Sequence, residues 1–167
     1  LLSLHLKASM MKVSDPIIFG HVLKVFFKNF IEKNKTVLNK INVNFNSGLS
    51  NIFEKLNQLD NLIRQKLVSE IELDIKNGPD LAMVNSDKNI TNFHIPSDII
   101  IDASMPAMIK SSGKMWDKSG ELRDTKAVIP DSSYSSIYQA TIDFCKENGQ
   151  FDPASMGTVQ NVGLMAK

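Results

Sequence analysis

Apolar residues Ile17, Ile18, Val22, Phe26, Phe30 and Ile31 recur at helical spacing, so residues 16 to about 34 read as one amphipathic helix. Ser14-Asp15-Pro16 marks its start, a capping side chain followed by proline in the first turn. Lys35 to Ile41 either continues this helix or forms a separate turn. A second stripe, Ile63, Leu67, Ile71 and Ile75, predicts a helix over 61–77 that stops at Asn77-Gly78-Pro79. Between them Asn44 to Gly48 is a polar loop, and Ser50 is positioned to cap a short helix ending at Leu56. The 44–78 segment is polar enough to form an outer helical hairpin.

The remaining pattern is that of strands. Leu1 to Leu6 is a short apolar run, read as a buried strand in which His5 alternates with apolar neighbours. Leu81-Ala82-Met83-Val84 is a second such run, followed by the polar loop Asn85 to Asn89. Ser97 is expected to cap a helix reaching about Ser112, with Gly113 beyond it. Lys114 to Trp116 and Leu122 to Ile129 read as two strands joined by a hairpin-type turn, Asp117 to Gly120. Pro130-Asp131-Ser132 opens a last helix that ends at Asn148-Gly149. No internal repeat is visible. Strands separated by helices predict an α/β architecture, a three-layer-type lobe with an added antiparallel hairpin, and residues 1–167 as a single piece.

Composition narrows the function. With 43% apolar and 22% charged residues the chain has the make-up of an ordinary globular protein. A net charge of +1 offers no electrostatic case for nucleic acid or an anionic membrane, and no apolar run approaches a membrane span. Arg64 and Arg123 are the only arginines among 19 basic residues, too few to clamp a polyanionic substrate. The single cysteine, Cys145, lies beside Phe144 in the last helical stretch and reads as filler rather than a nucleophile. The chain lacks an initial methionine and stops at Lys167 just after Val162, Leu164 and Met165, so both ends are read as cuts through a longer protein.

Two positions can carry chemistry. Lys7 follows the first apolar strand directly, where a low-dielectric setting favours the neutral amine. For a lysine to act as a base near neutrality its pKa must fall from about 10.4 toward 7, about 4 kcal/mol of differential interaction. The plain alternative is a solvated lysine at a strand end, like Lys12. Asp98 and Asp102 lie four apart and are expected on one helix face, Asp98 in the first turn. Asp102 follows three isoleucines, and Pro106, four residues on, has no N–H for its carbonyl, so the helix should open there. Carboxylate oxygens suit Mg²⁺ or Mn²⁺; the alternative is a surface aspartate. His5, His21 and His94 show no metal-ligand spacing, and the glycine-rich nucleotide motifs are absent.

The run His5-Leu6-Lys7-Ala8-Ser9-Met10-Met11-Lys12-Val13-Ser14-Asp15-Pro16-Ile17-Ile18-Phe19-Gly20-His21 resembles a segment of monomeric NADP-dependent isocitrate dehydrogenase. So do Leu81 to Lys88, Ile95 to Asp98, Asp102-Ala103-Ser104-Met105-Pro106-Ala107-Met108, Asp124 to Asp131 and Asn161 to Ala166. The resemblance spans essentially the whole chain. It implies a piece of the substrate domain, in the isocitrate/isopropylmalate dehydrogenase-like fold, of a monomeric cytoplasmic enzyme. That enzyme converts isocitrate to 2-oxoglutarate with NADP and Mg²⁺ or Mn²⁺. Lys7 then stands at the catalytic lysine and Asp102 at a metal-ligand position. The family's tyrosine, its other metal aspartates, its arginine clamp and its NADP site are expected in the remainder of the parent polypeptide, so this chain alone should be inactive. A non-catalytic lobe and a related 2-hydroxy-acid decarboxylating dehydrogenase are the alternatives. Asn89 replaces a glycine usual after the Asn-Ser-Asp-Lys run; asparagine tolerates positive φ, so the turn should survive.

Overall fold

The computed structural model describes residues 1–130, 133–150 and 154. It divides into two compact units, Leu1–Pro130 and Asp131–Lys167. The first unit runs β1 (Leu2–Leu4), α1 (Ser14–Phe26), α2 (Lys28–Lys40), a 3₁₀ turn (Phe45–Ser47), α3 (Gly48–Leu56) and α4 (Asn61–Asn77). It continues with β2 (Met83–Asn85), β3 (Ile90–Thr91), α5 (Ile101–Lys110), β4 (Lys114–Trp116), β5 (Leu122–Asp124) and β6 (Lys126–Val128). The second unit holds α6 (Ser133–Asn148), on which Cys145 is half-buried. The helix-opening pair Asp131-Ser132 and the run Asn161 to Ala166 lie outside the described residues.

β1 is the hub of the α/β arrangement. It pairs in parallel with β6, Ser3 opposite Ala127, and bridges in parallel from Leu2 to Leu81 and from Leu6 to Ile100. Pleating sends alternate side chains to opposite faces. Leu4 and Leu6 enter the main core with Phe19, Leu23, Phe27, Phe30, Leu49, Ile52, Leu56, Leu67, Ile71, Leu81 and Phe93. Ser3, His5 and Lys7 are buried at the intervening positions, and His5 and Lys7 meet α5. Helices α1–α4 therefore supply the core on one face of β1, while α5 lies against the other. Each fully buried leucine or phenylalanine in that core contributes about 1.5–3 kcal/mol of transfer free energy. Phe93 is central, with Phe26 and Phe19 edge-on to it at 5.1 and 6.4 Å between ring centroids.

Several elements depart from the local pattern. The helix expected over 16–34 is two, broken at Phe27 (φ −98°, ψ 29°). Its buried stripe is Phe19, Leu23, Phe27 and Phe30, so Ile17 of the expected stripe is exposed. The inner faces of α3 and α4 carry Leu49, Ile52, Leu56, Leu67 and Ile71 into the main core. α3 begins at Gly48, two residues before the expected cap Ser50. Its first N–H groups, those of Leu49 and Ser50, donate to the carbonyls of Phe93 and His94, so tertiary backbone replaces the cap. The strand expected over 122–129 splits at Thr125: β5 pairs antiparallel with β4, whereas β6 turns to β1. By contrast α4 is bounded as its sequence dictates, with Asp60 accepting from the N–H groups of Leu62 and Ile63. Asn89 adopts φ 53° in the tight β2–β3 connection, the conformation asparagine tolerates.

Candidate active site

Lys7 and Asp102 meet. Lys7 Nζ lies 2.9 Å from Asp102 Oδ2, the lysine side chain 9% exposed and the aspartate 31%. The contact arises because the strand path of β1 runs on to Leu6, whose N–H donates to the Ile99 carbonyl and whose carbonyl accepts from Ile101 N–H. Those two bonds pin the entry to α5 beside Lys7. They also correct the expected helix start. Ile99 and Ile100 are used as extended partners of Leu6, so α5 begins at Ile101 rather than near Ser97.

Asp98 therefore precedes the helix and shares no helix face with Asp102. It lies among turn residues, where burial pushes its carboxyl up. Asp102 occupies the first turn, where the helix dipole favours a carboxylate. α5 passes through Pro106 without a break, so the missing Pro106 N–H leaves the helix whole instead of opening it. The first turn is the site's frame: Asp102 points to Lys7 and Ser104 to His5.

Three groups whose partners local reasoning did not supply complete the setting. Asp15, expected as a helix-start residue, is buried, and its Oδ2 accepts the backbone N–H of Lys7 at 2.6 Å. α1 has no side-chain cap at its start; the carboxylate instead holds the turn that carries Lys7. Asn92, 1% exposed, grips β1 from the other side: it accepts the Leu4 N–H and donates to the Leu4 carbonyl at 2.7 Å. The Asn92 role has no local signal, since Asn92 lies 88 residues from Leu4.

The third is His5, fully buried, with Nδ1 2.6 Å from Ser104 Oγ. Its Nε2 and the Ser3 hydroxyl are buried without a partner among the described residues. A bare ring lone pair is cheaper to bury than an N–H. The tautomer is therefore assigned with Nδ1–H donating to Ser104 Oγ. Burial holds the imidazole pKa down to about 4 from 6.5, so it is neutral at physiological pH.

Because the folded-state value lies below the unfolded one, the unfolded chain binds the extra proton between pH 6.5 and 4, and stability falls as pH drops through that window. The total effect is about 3 kcal/mol. In urea unfolding at pH 7 and pH 4.5, His5→Asn should show a pH-dependent loss smaller by most of that amount. An unchanged pH dependence would contradict a buried, neutral His5. His94 is shifted in the same direction, and its Nδ1 accepts the Thr91 N–H at 2.9 Å.

Among the described residues no cluster of three histidine, cysteine or acidic side chains is poised to hold a metal. Asp102 supplies one hard oxygen donor in a helix first turn. That donor fits a Mg²⁺ or Mn²⁺ site, in which one or two protein carboxylates act together with substrate and water. No helix among the described residues is long and apolar enough to cross a membrane.

Comparison with known proteins gives a consistent outcome. The family model described as monomeric isocitrate dehydrogenase matches residues 1–167. Isocitrate dehydrogenase [NADP] of Azotobacter vinelandii is 52% identical over 167 residues, covering 100% of this chain and 22% of the relative. Isocitrate dehydrogenase [NADP] 2 of Mycobacterium tuberculosis is 52% identical over 165 residues, covering 99% of this chain and 22% of the relative. Isocitrate dehydrogenase [NADP] of Corynebacterium glutamicum is 53% identical over 167 residues, covering 100% and 22%. The chain thus spans 22% of the length of these curated relatives.

Proposed function

Because the chain belongs to the monomeric isocitrate dehydrogenase family over its whole length, we propose that it is part of the substrate domain of an NADP-dependent isocitrate dehydrogenase. The parent enzyme oxidises and decarboxylates isocitrate to 2-oxoglutarate, acts as a monomer and resides in the cytoplasm. The observation that supports the reading is the 2.9 Å contact between Lys7 and Asp102, a lysine amine beside a carboxylate. Lys7 is the proton carrier for the substrate hydroxyl, and Asp102 is one ligand of a divalent cation, Mg²⁺ or Mn²⁺. A divalent cation held in part by Asp102 would supply Lewis-acid polarisation of substrate oxygen, and NADP would supply the hydride acceptor. The remaining ligands, the arginine clamp and the cofactor site belong to the rest of the parent polypeptide, which is this chain's partner.

The residues' own work follows from their surroundings. A paired ammonium has no lone pair, so Lys7 releases its proton to solvent and gives up its contact with Asp102 before it can accept the hydroxyl proton. Asp15 and Leu6 fix the backbone on both sides of that exchange. The reading is tested in the full-length enzyme with Asp102→Asn, which is nearly isosteric and removes the charge. The Mn²⁺ concentration for half-maximal rate should rise at least tenfold, on the order of the loss of one charged ligand contact, 1.4 kcal/mol or more. An unaltered Mn²⁺ requirement would remove Asp102 from the metal site. Isocitrate-dependent NADP reduction by the wild-type parent is the accompanying check on substrate.

A further inference from the structure

We propose that His5 and Ser104 are a positioning pair, holding the first turn of α5 against β1 so that Asp102 stays in register with Lys7 while the two charged groups change partners. The proposal rests on the functional reading above and deepens it.

Two side-chain rungs join the same two elements. His5 meets Ser104 at 2.6 Å and Lys7 meets Asp102 at 2.9 Å, so each rung is displaced by two residues on both sides, in opposite senses. The spacing suits the geometry: positions 5 and 7 share one face of an extended strand, and 102 and 104 lie in one helical turn. The rungs differ in chemistry. The Lys7–Asp102 rung is ionic and has to open in turnover. The His5–Ser104 rung is uncharged, and His5 is fully buried, so substrate and cation do not compete for it. Between the rungs, the Leu6 backbone bonds to Ile99 and Ile101 hold the entry to α5, and Ile101 and Met108 bury the inner side of the helix. The His5–Ser104 bond adds a direct side-chain tie in the same turn that carries Asp102. Rotation of α5 would carry Asp102 away from Lys7 at once, because Asp102 and Ser104 turn together.

The test uses the full-length enzyme and two readouts, Mn²⁺ affinity by titration calorimetry and the split between kcat and KM for isocitrate. Ser104→Ala and His5→Phe should each weaken Mn²⁺ binding about 10–100-fold, the range for residues that orient a metal ligand. The double variant should be little worse than either single one, because the two share one interaction. His5→Asn, whose amide nitrogen occupies nearly the place of Nδ1, should recover most of the affinity. A merely structural role would lower thermal stability and leave the Mn²⁺ affinity of the folded fraction untouched. That outcome overturns the proposal, as does wild-type affinity in Ser104→Ala, a half-buried position where alanine fits the helix. If His5→Phe fails to fold, Ser104→Ala and His5→Asn decide alone. Failure of the underlying reading looks different: Lys7→Met would then retain turnover, or Asp102→Asn would leave the metal requirement unchanged, whatever the Ser104 variants do.

Discussion

Lys7→Met in the full-length enzyme should reduce isocitrate turnover by about 10²–10⁴-fold, the contribution of a positioned proton carrier, while isocitrate still binds. Methionine follows the course of the lysine stem, so packing beside β1 is retained and only the amine is lost. Asp102 then lacks its ionic partner, but its side chain is 31% exposed and solvent takes over its hydration. Lys7→Arg separates the two roles of the amine. Arginine keeps a cation near Asp102 but is not deprotonated in proteins, so it sustains the ion pair and fails as a base. Steady-state kcat, with isocitrate affinity measured separately by calorimetry, distinguishes the cases. Near-wild-type kcat in Lys7→Met would withdraw the lysine from the chemistry. High activity in Lys7→Arg alone would reduce it to an electrostatic partner.

Gly48→Ala should destabilise the fold by about 4 kcal/mol, from overpacking of about 1–3 and backbone strain of about 1–3 kcal/mol. Gly48 has φ 84° and ψ −177°, a region populated almost only by glycine. A Cβ there would stand 2.1 Å from the His94 carbonyl oxygen, which is rigid backbone. The same stretch of backbone receives the first N–H groups of α3 and carries Asn92, the clamp on Leu4. Displacing it reaches β1, and through β1 reaches Lys7. Gly113 is the control. It also has positive φ, 76°, but a Cβ there meets nothing within 4 Å, so Gly113→Ala should cost only about 1–2 kcal/mol of backbone strain. Chemical denaturation of both variants checks the pair. Equal losses would mean that the close approach at Gly48 carries no weight.

The candidate site was partly legible before any tertiary information. Lys7 and Asp102 emerge as candidates because their residue types and the family pattern around them point to a base and an oxygen ligand. Their mutual contact, 95 positions apart in the chain, has no local trace. Asp15 shows the limit most clearly. Its place before Pro16 is a helix-start signal, and α1 does begin at Ser14 with Asp15 in its first turn, but the carboxylate accepts the Lys7 N–H rather than capping the helix. At Ser97, by contrast, the expected helix start is not used: the backbone of Ile99 to Ile101 bonds to Leu6 and the helix waits until Ile101.

What the sequence determined by itself is whatever depends on neighbours within a turn or two. α4 spans 61–77 as read, its Asp60 cap being local as well, and Asn89 accepts a positive φ, because capping and left-handed turns are settled by local hydrogen bonding and sterics. Only the tertiary structure decided which face of α1 is buried, where α3 and α5 begin, and that β6 leaves its hairpin for β1. In each of these the backbone or side chain has two comparable local options. The choice falls to a distant partner that removes an unpaired polar group or fills a core position. The site belongs to this second kind. Its residues are candidates by their chemistry in the sequence, and their registration comes from the bonds of β1 to Asn92 and of the residues after it, His5 and Lys7, to the first turn of α5 and to Asp15.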